Sequence, residues 1–462
     1  MNSNNTDQDF NKLKLKVFIG ILITIVVLIA IDRYSSTLKD AMPISKKSDE
    51  VNHQNNASTL ALGGEHICWI DQQDKTWCWG NNDSGQLGRR HVDPYSQAQH
   101  IDKDLKHPFK QISAYRNRTC AINTQDEVYC WGGWMDLDYE DQPITSEIIA
   151  SMKPYKLSYE PLKIALPQAP QSVELGILHA CALLKNNEVW CWGDNSLGQL
   201  ALDDSTELAE EPLQIQNLPQ DQKWQRLVAG PASNCVISTA GNAWCWGLNL
   251  SAYAMDSLSV SSLSRDPTKD DVFPDDKELP EVIQRRPLPL NNVNEPIQDI
   301  AFNLDTACVL TDKKDIKCWG GNTFNAITGF QGEDFISTAT AIKDRQLKRA
   351  HALSASSFNM SPMPIESFFC ALANKNKAYC WGVLLQMEIN QIGKGHLVKL
   401  PKIDQPWMSI KSGQDFSCVQ AQNHDVYCWG RGLNGGVYSK TQVLPKDFNS
   451  QQVYQLLPQG II

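Results

Sequence analysis

All fourteen cysteines of the chain fall into seven pairs, and the two members of each pair are always ten positions apart. The second member always opens a Cys-Trp-Gly triplet. The pairs are Cys68 with Cys78, Cys120 with Cys130, Cys181 with Cys191, Cys235 with Cys245, Cys308 with Cys318, Cys370 with Cys380, and Cys418 with Cys428. A fixed spacing within units and a variable spacing between them mark an internal repeat. The chain is therefore expected to fold by repeating one small unit seven times.

Each unit has the pattern of a β-hairpin. In the third unit, strand-forming residues flank the polar turn Lys185-Asn186-Asn187, and such residues tolerate a tight bend. Successive triplets are on average about 58 residues apart, which is too long for common helical solenoid repeats. This length fits one four-stranded propeller blade with its loops.

The turn places the two cysteines of a pair opposite each other across the hairpin, where a small local closure allows a disulfide. We therefore predict seven disulfides and an oxidising compartment. The alternative is that all fourteen cysteines are reduced and serve as small core residues. A zinc site is not predicted, because zinc-binding pairs usually have only about two to four intervening residues.

Over about residues 57–447 the sequence resembles the regulator of chromosome condensation repeat family, in its exported bacterial form with paired cysteines, and the first and third units keep the fullest pattern. The first keeps Gly63, His66 and Gly85-Gln86-Leu87-Gly88, and the third keeps Gly176, His179 and Gly198-Gln199-Leu200. The Gly-Gln-Leu-Gly tail is missing after the other five units. The resemblance implies an all-β fold, a seven-bladed β-propeller. It implies little about function, since propellers host many unrelated ones.

An uninterrupted apolar run, residues 17–31, lies near the N-terminus. The run is short for a transmembrane helix, which usually needs about 17–25 residues. A cleaved signal peptide or a buried helix of a soluble protein are the alternatives. No small-x-small cleavage site follows the run, so we predict a single uncleaved transmembrane signal anchor at 17–34. Basic residues flank it almost evenly, so its orientation is inferred from the disulfides, which require export of the large domain.

These features predict five segments. Residues 1–16 form a cytoplasmic tail, 17–34 the anchor, 35–56 a flexible polar linker, 57–450 the propeller and 451–462 a C-terminal tail. Val437 to Pro445 resembles in sequence the segment that follows each earlier triplet. We therefore expect the C-terminus to supply the strand that seals the ring against the first unit. In a bacterium, this layout places the anchor in the inner membrane and the propeller in the periplasm.

Three long insertions follow Cys-Trp-Gly triplets, namely Trp134 to Lys163, Leu250 to Arg286 and Thr323 to Pro364. Equivalent positions in the repeat predict that they leave the same general face. The third contains a predicted short helix, about Ile336 to Ala352. Long loops in compact domains are usually functional or disordered, so the insertions either bind a partner or are passive, partly disordered decoration. The candidate partner-binding residues are Asp136, Asp138, Glu140, Asp141, Asp270, Asp271, Asp275 and Asp276.

No catalytic, cofactor-binding or metal-binding motif emerges from the sequence. Asp136 to Asp141 lacks the glycine and distal glutamate of a helix-loop-helix calcium loop, and His66 and His179 are predicted to be structural. The net charge of −10 argues against a duplex nucleic-acid binder. We therefore predict a non-enzymatic, membrane-tethered periplasmic scaffold for envelope proteins, in cell division or envelope biogenesis. The alternatives are a propeller that inhibits or senses a secreted protein, and a glycan-active lyase or hydrolase.

Overall fold

The computed structural model describes residues 58–89, 96–101, 106–133, 158–203, 205–248, 283–303, 306–322, 327, 335–342, 344–356, 367–373, 377–383, 396–398, 400–430, 454–457 and 460–461. These residues form seven antiparallel sheets, in each of which neighbouring strands follow one another along the chain. The prediction of an all-β, seven-bladed propeller is confirmed.

Each blade is defined by its strands. Blade 1 contains β1 (Leu60–Leu62), β2 (His66–Ile70), β3 (Thr76–Gly80) and β4 (Ser96–His100). Blade 2 contains β5 (Phe109–Tyr115), β6 (Arg118–Asn123), β7 (Val128–Gly132) and β8 (Ser158–Ile164). Blade 3 contains β9 (Pro170–Leu175), β10 (His179–Leu184), β11 (Val189–Asp194) and β12 (Leu208–Gln214). Blade 4 contains β13 (Trp224–Ala229), β14 (Ser233–Ser238), β15 (Ala243–Leu248) and β16 (Ile283–Pro289).

The remaining blades follow the same plan. Blade 5 contains β17 (Ile297–Phe302), β18 (Thr306–Thr311), β19 (Ile316–Gly321) and β20 (Phe335–Ala341). Blade 6 contains β21 (Ala352–Ala355), β22 (Ser367–Ala373), β23 (Lys377–Val383) and β24 (His396–Val398). Blade 7 contains β25 (Trp407–Ser412), β26 (Phe416–Ala421), β27 (Val426–Gly430), β28 (Tyr454–Leu457) and β29 (Gly460–Ile461). A short 3-10 helix, Arg345–Leu347, precedes β21.

The cysteine pairs join the second and third strands of every blade. In each hairpin the register places the two cysteines directly opposite each other. The structure joins each pair by a disulfide, with the two Cα atoms 4.0–4.2 Å apart. The disulfides join Cys68 to Cys78, Cys120 to Cys130, Cys181 to Cys191, Cys235 to Cys245, Cys308 to Cys318, Cys370 to Cys380, and Cys418 to Cys428. The predicted pairing across a hairpin is therefore present in all seven units.

The glycine of the Cys-Trp-Gly triplet allows the third strand to cross the start of the second closely. Gly80 has a φ of +114°, a conformation that side chains with a Cβ rarely adopt. A Cβ added there would lie 2.4 Å from the carbonyl oxygen of Glu65. The other six triplet glycines also have positive φ. The triplet therefore requires glycine at its third position for a backbone reason.

The apolar core is divided among the junctions between neighbouring blades. Consecutive residues of a strand point to opposite faces of its sheet, so the cysteine and tryptophan of a triplet face different junctions. At the junction of blades 1 and 2, the Cys68–Cys78 disulfide packs in one cluster with Trp131 of blade 2. Clusters of the same kind occupy the other six junctions. Each disulfide thus packs near the triplet tryptophan of the next blade.

The Gly-Gln-Leu tail hydrogen-bonds to the following blade at two junctions. The carbonyl of Gln86 accepts hydrogen bonds from Trp131 Nε1 at 2.9 Å and from Thr119 Oγ1 at 3.0 Å. The carbonyl of Gln199 accepts from Trp246 Nε1 and from Asn234 Nδ2, both at 2.8 Å. The tail therefore links blade 1 to blade 2 and blade 3 to blade 4.

After three of the five units that lack the tail, the triplet tryptophan of the next blade lacks this bond among the described residues. Trp192, Trp319 and Trp381 are buried, and their indole N–H groups have no hydrogen-bond partner among the described residues. Each of them lies in the blade after a unit that has lost the tail, namely unit two, four or five.

Buried Arg118 makes a different link at the junction of blades 2 and 3. Its Nη2 donates hydrogen bonds to the carbonyls of Ile177 at 3.0 Å and His179 at 2.9 Å, and it also bonds to the carbonyl of Gly176.

The ring closes differently from the prediction. Blade 1 consists entirely of strands from the N-terminal end of the propeller, and blade 7 entirely of strands from its C-terminal end. Between them, Leu60, Ile67 and Trp79 pack with Phe416 and the Cys418–Cys428 disulfide. No strand of the described C-terminal residues joins the first sheet. Apolar packing between complete blades closes the ring, so strand exchange is not needed.

Two further expectations need correction. The segment expected to be a C-terminal tail contains strands β28 and β29 of blade 7. Val437 to Pro445 lies outside the described residues. The predicted helix at Ile336 to Ala352 is wrong, because Phe335–Ala341 is a strand that pairs with β19. The β-branched Ile336, Thr338 and Thr340 favour a strand. The third insertion therefore contains the outer strand of blade 5 and the inner strand of blade 6.

Candidate functional site: the central channel and the insertion face

The first strands of all seven blades surround a central channel with a cavity of about 120 Å³. Most of its lining residues are apolar or carry a hydroxyl group. Four are charged, namely Glu174, Arg226, Asp299 and Lys411. Sequence analysis missed these residues, since they belong to four different repeats.

The strand register arranges the four charges at two levels of the channel. Glu174 lies opposite Cys181 in blade 3, and Lys411 lies opposite Cys418 in blade 7. Since the cysteines hold equivalent repeat positions, these two residues lie at one level, which we call the cysteine level. Arg226 and Asp299 are each two residues before the matching position of their own strands. They therefore occupy the neighbouring level, on adjacent blades.

Arg226 and Asp299 form a direct ion pair. Arg226 Nη2 lies 2.8 Å from Asp299 Oδ1, and it donates a hydrogen bond to Oδ2 at 2.9 Å. The backbone N–H of Ile300 also donates to Asp299 Oδ1. Burial raises the pKa of the Asp299 carboxyl, and the positive charge of Arg226 acts against this rise. This carboxylate is therefore held in place by its partners.

Glu174 has a weaker set of contacts. One of its carboxylate oxygens accepts a hydrogen bond from Ser113 Oγ at 3.2 Å. Burial raises the pKa of the Glu174 carboxyl, whereas the charge of Lys411 acts most strongly in the opposite direction. Glu174 and Lys411 are both partly exposed, so solvent reaches this level of the channel.

His66 and His179 connect neighbouring blades and lie away from the channel lining. His66 Nε2 lies 2.8 Å from Thr119 Oγ1, and His179 Nε2 lies 2.9 Å from Asn234 Oδ1. Both imidazoles are fully buried, and desolvation lowers the pKa of each to about 3. They are neutral at physiological pH and bond to the residues that also contact the Gln86 and Gln199 carbonyls.

The first two of the three long insertions leave the same face of the propeller. In each antiparallel sheet, the first-to-second turn and the third-to-fourth connection lie at the same end. The segments 134–157 and 249–282 both connect a third strand to a fourth. We call the face that they leave the insertion face. All eight candidate partner-binding acidic residues, from Asp136 to Asp276, lie outside the described residues.

Neither a metal cluster nor a membrane helix occurs in the part of the chain that the structure describes. No group of three or more His, Cys, Asp or Glu side chains could hold a metal ion there. No helix within those residues is long and apolar enough to cross a membrane. The predicted anchor at 17–34 lies outside them.

Comparison with known families decides the nature of the repeat. The model of the regulator of chromosome condensation (RCC1) repeat matches residues 109–133 and 171–199. Two segments of the chain therefore match the RCC1 repeat. The matches cover the first three strands of blades 2 and 3 and extend to Gly198 and Gln199 of the blade 3 tail. The resemblance stated from the sequence is thus confirmed.

Solved structures show the same fold at low sequence identity. Prp20p from Saccharomyces cerevisiae matches with a TM-score of 0.59 and 19% identity, over 78% of this chain and 81% of that one. Human WBSCR16 matches with a TM-score of 0.57 and 15% identity, over 79% and 87% of the two chains. These likenesses establish the RCC1-like propeller fold.

Curated relatives cover only part of the chain. The probable E3 ubiquitin-protein ligase HERC6 of Homo sapiens is 25% identical over 198 residues, which are 41% of this chain and 18% of that protein. The guanine nucleotide exchange factor SRM1 of Saccharomyces cerevisiae is 24% identical over 231 residues, 41% of this chain and 44% of its own. The chain thus spans less than half the length of these relatives. These two relatives differ in activity, one being a probable ubiquitin ligase and the other a nucleotide exchange factor.

Proposed function

We propose that this chain is a membrane-tethered, extracytoplasmic scaffold that binds other proteins through the insertion face. The observation that carries the proposal is the set of seven disulfides buried at the blade junctions. Such pairs form and persist in oxidising compartments. The apolar run at 17–31 supplies the export signal and tether.

The rigid part of the molecule suits a binding platform. Seven disulfide-linked hairpins hold the strand ends that carry the two long segments, 134–157 and 249–282. Such long loops on a rigid framework commonly form binding sites. Prp20p is described by its binding to Gsp1p and histones. We transfer only the general property of protein binding to this chain.

The compartment is tested by counting free thiols. Protein purified without reductant and denatured in an alkylating agent is expected to gain no alkyl groups, since every cysteine is in a disulfide. Intact mass spectrometry before and after reduction measures the number. Fourteen alkylated cysteines in the unreduced sample would contradict the proposal.

The scaffold role is tested by proximity labelling from the propeller in living cells. We expect enrichment of envelope-assembly or cell-division proteins, and a defect in cell shape or septation on depletion. Replacing residues 134–157 with a short Gly-Ser linker is expected to abolish the enrichment and leave the melting temperature unchanged. As a control, Lys313 and Lys314 lie in a second-to-third turn on the opposite face, and replacing both with serine is expected to preserve labelling.

Other outcomes would favour the alternative functions. Tight binding of one secreted enzyme, without an envelope phenotype, would identify an inhibitor or sensor. A glycan-active hydrolase would need two carboxyl groups that are free to act as acid and as base or nucleophile. Asp299 is already bound by Arg226 and the Ile300 N–H, which favours a binding role for the channel over hydrolysis.

A further inference from the structure

The cysteine level of the channel contains two opposite charges that form no direct ion pair with each other. Glu174 and Lys411 lie at equivalent repeat positions in blades 3 and 7. Both line the same cavity. Arg226 and Asp299 form an ion pair in this cavity. Among the described residues, no ion pair within 4.0 Å joins Glu174 to Lys411. A carboxylate and an ammonium group therefore face a shared space from opposite walls.

The surroundings hold the Glu174 carboxylate and supply further polar groups. Ser113 donates a hydrogen bond to one oxygen of Glu174. Ser354 lies at the same level in blade 6, since it is opposite Cys370. The remaining positions of this level are Ala61, Val228 and Ala301. Small and hydroxyl-bearing side chains thus leave space between the two charges.

The charge arrangement selects against ligands that carry one sign of charge. An anion bound to Lys411 would face Glu174 and Asp299, and a cation bound to Glu174 would face Lys411 and Arg226. Partial burial strengthens both repulsions, because the effective dielectric constant is lower there than in water. A ligand with a carboxylate at one end and an ammonium group at the other satisfies both walls. Its charges also offset the cost of desolvating Glu174 and Lys411.

The cavity limits the size of such a ligand. Its volume of about 120 Å³ is well below the roughly 300–1,000 Å³ of pockets for drug-sized molecules. We propose that the central channel binds a small zwitterion of the amino-acid class, with its carboxylate on Lys411 and its ammonium group on Glu174. This site is independent of the insertion face and of the proposed scaffold function.

The experiment titrates the full-length protein in detergent with glycine, β-alanine, 4-aminobutyrate and 6-aminohexanoate, and calorimetry measures the binding. The series varies the separation of the two charges. One member is expected to bind at least tenfold more tightly than acetate and ethylamine, which each carry one of the charges. Equal binding of a zwitterion and a singly charged analogue would overturn the proposal, as would the absence of binding by every zwitterion.

Variants locate the site. Glu174→Gln and Lys411→Met each remove one charge at similar size and are expected to weaken zwitterion binding at least tenfold. The matched controls are Glu127→Gln and Lys163→Met, since these residues form an exposed ion pair of the same types, 2.6 Å apart. The controls are expected to leave affinity unchanged. Binding that persists in both channel variants would contradict the proposal.

A charge exchange guards against misfolding of a single variant. In the double variant Glu174→Lys with Lys411→Glu, both charges remain and only their places change. The ligand can bind in the reverse orientation, so affinity is expected to recover at least in part relative to the single variants. A folded double variant, judged by its circular dichroism spectrum, that binds no zwitterion would overturn the assignment to these two walls.

Discussion

Five of the seven blade junctions fall into two kinds, although every junction packs a disulfide near a triplet tryptophan. At junctions 1/2 and 3/4, the Gln86 or Gln199 carbonyl accepts a hydrogen bond from the triplet tryptophan of the next blade. At junctions 2/3, 4/5 and 5/6, the matching indole N–H has no such partner among the described residues. Apolar packing is thus shared by all seven junctions, whereas the hydrogen bond to the tryptophan is present at two of them and absent among the described residues at three.

Junction 2/3 shows how a lost link is compensated. Arg118 occupies the repeat position of His66 and His179, two residues before the first cysteine. Its guanidinium reaches the backbone carbonyls of the next blade at Gly176, Ile177 and His179. The comparison teaches that the decay of the repeat motif at one position can be offset by a different donor at another.

The largest effect is expected from Arg118→Met. The substitution leaves three carbonyls of blade 3 without their charged donor, so we expect a loss of at least about 3 kcal/mol in the free energy of unfolding. Urea unfolding followed by tryptophan fluorescence measures this change. Lys185→Met, which removes an exposed cation at the same junction, is the control. Equal effects of the two variants would show that Arg118 is not the link.

The histidines at junctions 1/2 and 3/4, His66 and His179, make the free energy of unfolding depend on pH. The pKa of His179 falls from 6.5 to about 3 on folding because of burial, so the unfolded chain binds a proton that the folded chain excludes between these values. The free energy of unfolding should therefore fall by about 2 kcal/mol per histidine between pH 7 and pH 5. His66 behaves in the same way.

This dependence is measured by denaturant unfolding at a series of pH values. His179→Gln keeps an amide donor for Asn234 and is expected to remove one histidine's share of the slope. Leu200→Ala, at the same junction, should lower stability equally at every pH. A slope that is unchanged in His179→Gln would contradict the assignment of a buried neutral imidazole.

A matched pair of tryptophan substitutions isolates the hydrogen bond that separates the two junction types. Trp246 and Trp319 are both fully buried, but only Trp246 has an indole partner among the described residues, at 2.8 Å. Replacing either with phenylalanine removes a similar volume. Trp246→Phe is therefore expected to cost about 1 kcal/mol more than Trp319→Phe. Thermal unfolding compares them, and equal costs would show that the Gln199 link adds no stability.

The smallest effect is expected at the exposed end of junction 2/3. Asp126 of blade 2 pairs with Lys185 of blade 3 at 2.6 Å and also with Lys110 of its own blade. Hydrogen bonds from these lysines lower the pKa of Asp126. Since the groups are partly exposed, Asp126→Asn should cost less than about 1 kcal/mol. The effect should fade in concentrated salt, and a cost that is unchanged in salt would contradict this view.

The sequence predicts the repeating part of this fold well and its irregular parts poorly. A ten-residue spacing around a polar turn is enough to place the cysteines opposite each other, since both partners lie in one hairpin. The fourth strand of blade 7 is harder to predict, because it follows an interval of variable length after Cys428. The helix expected near Ile336 was wrong for a related reason, because pairing with β19 decides the structure of that segment.

The channel charges could have been found from one neglected signal. Six of the seven residues opposite a first cysteine lie seven positions before it, among them Glu174 and Lys411. Comparing the repeats at this position would have shown one acid and one base among small and apolar residues. The ion pair of Arg226 with Asp299 depends on the orientation of side chains from two blades, and the sequence does not specify that orientation.

The sequence by itself determined the number of blades, the hairpin register and the sites of the disulfides. These properties depend on local spacing, and each is repeated seven times. The tertiary structure decided that a disulfide packs near the tryptophan of the next blade, that complete blades close the ring, and that Glu174 faces Lys411 across the channel. Those contacts join residues of different repeats, so they exist only once the blades are arranged around the channel.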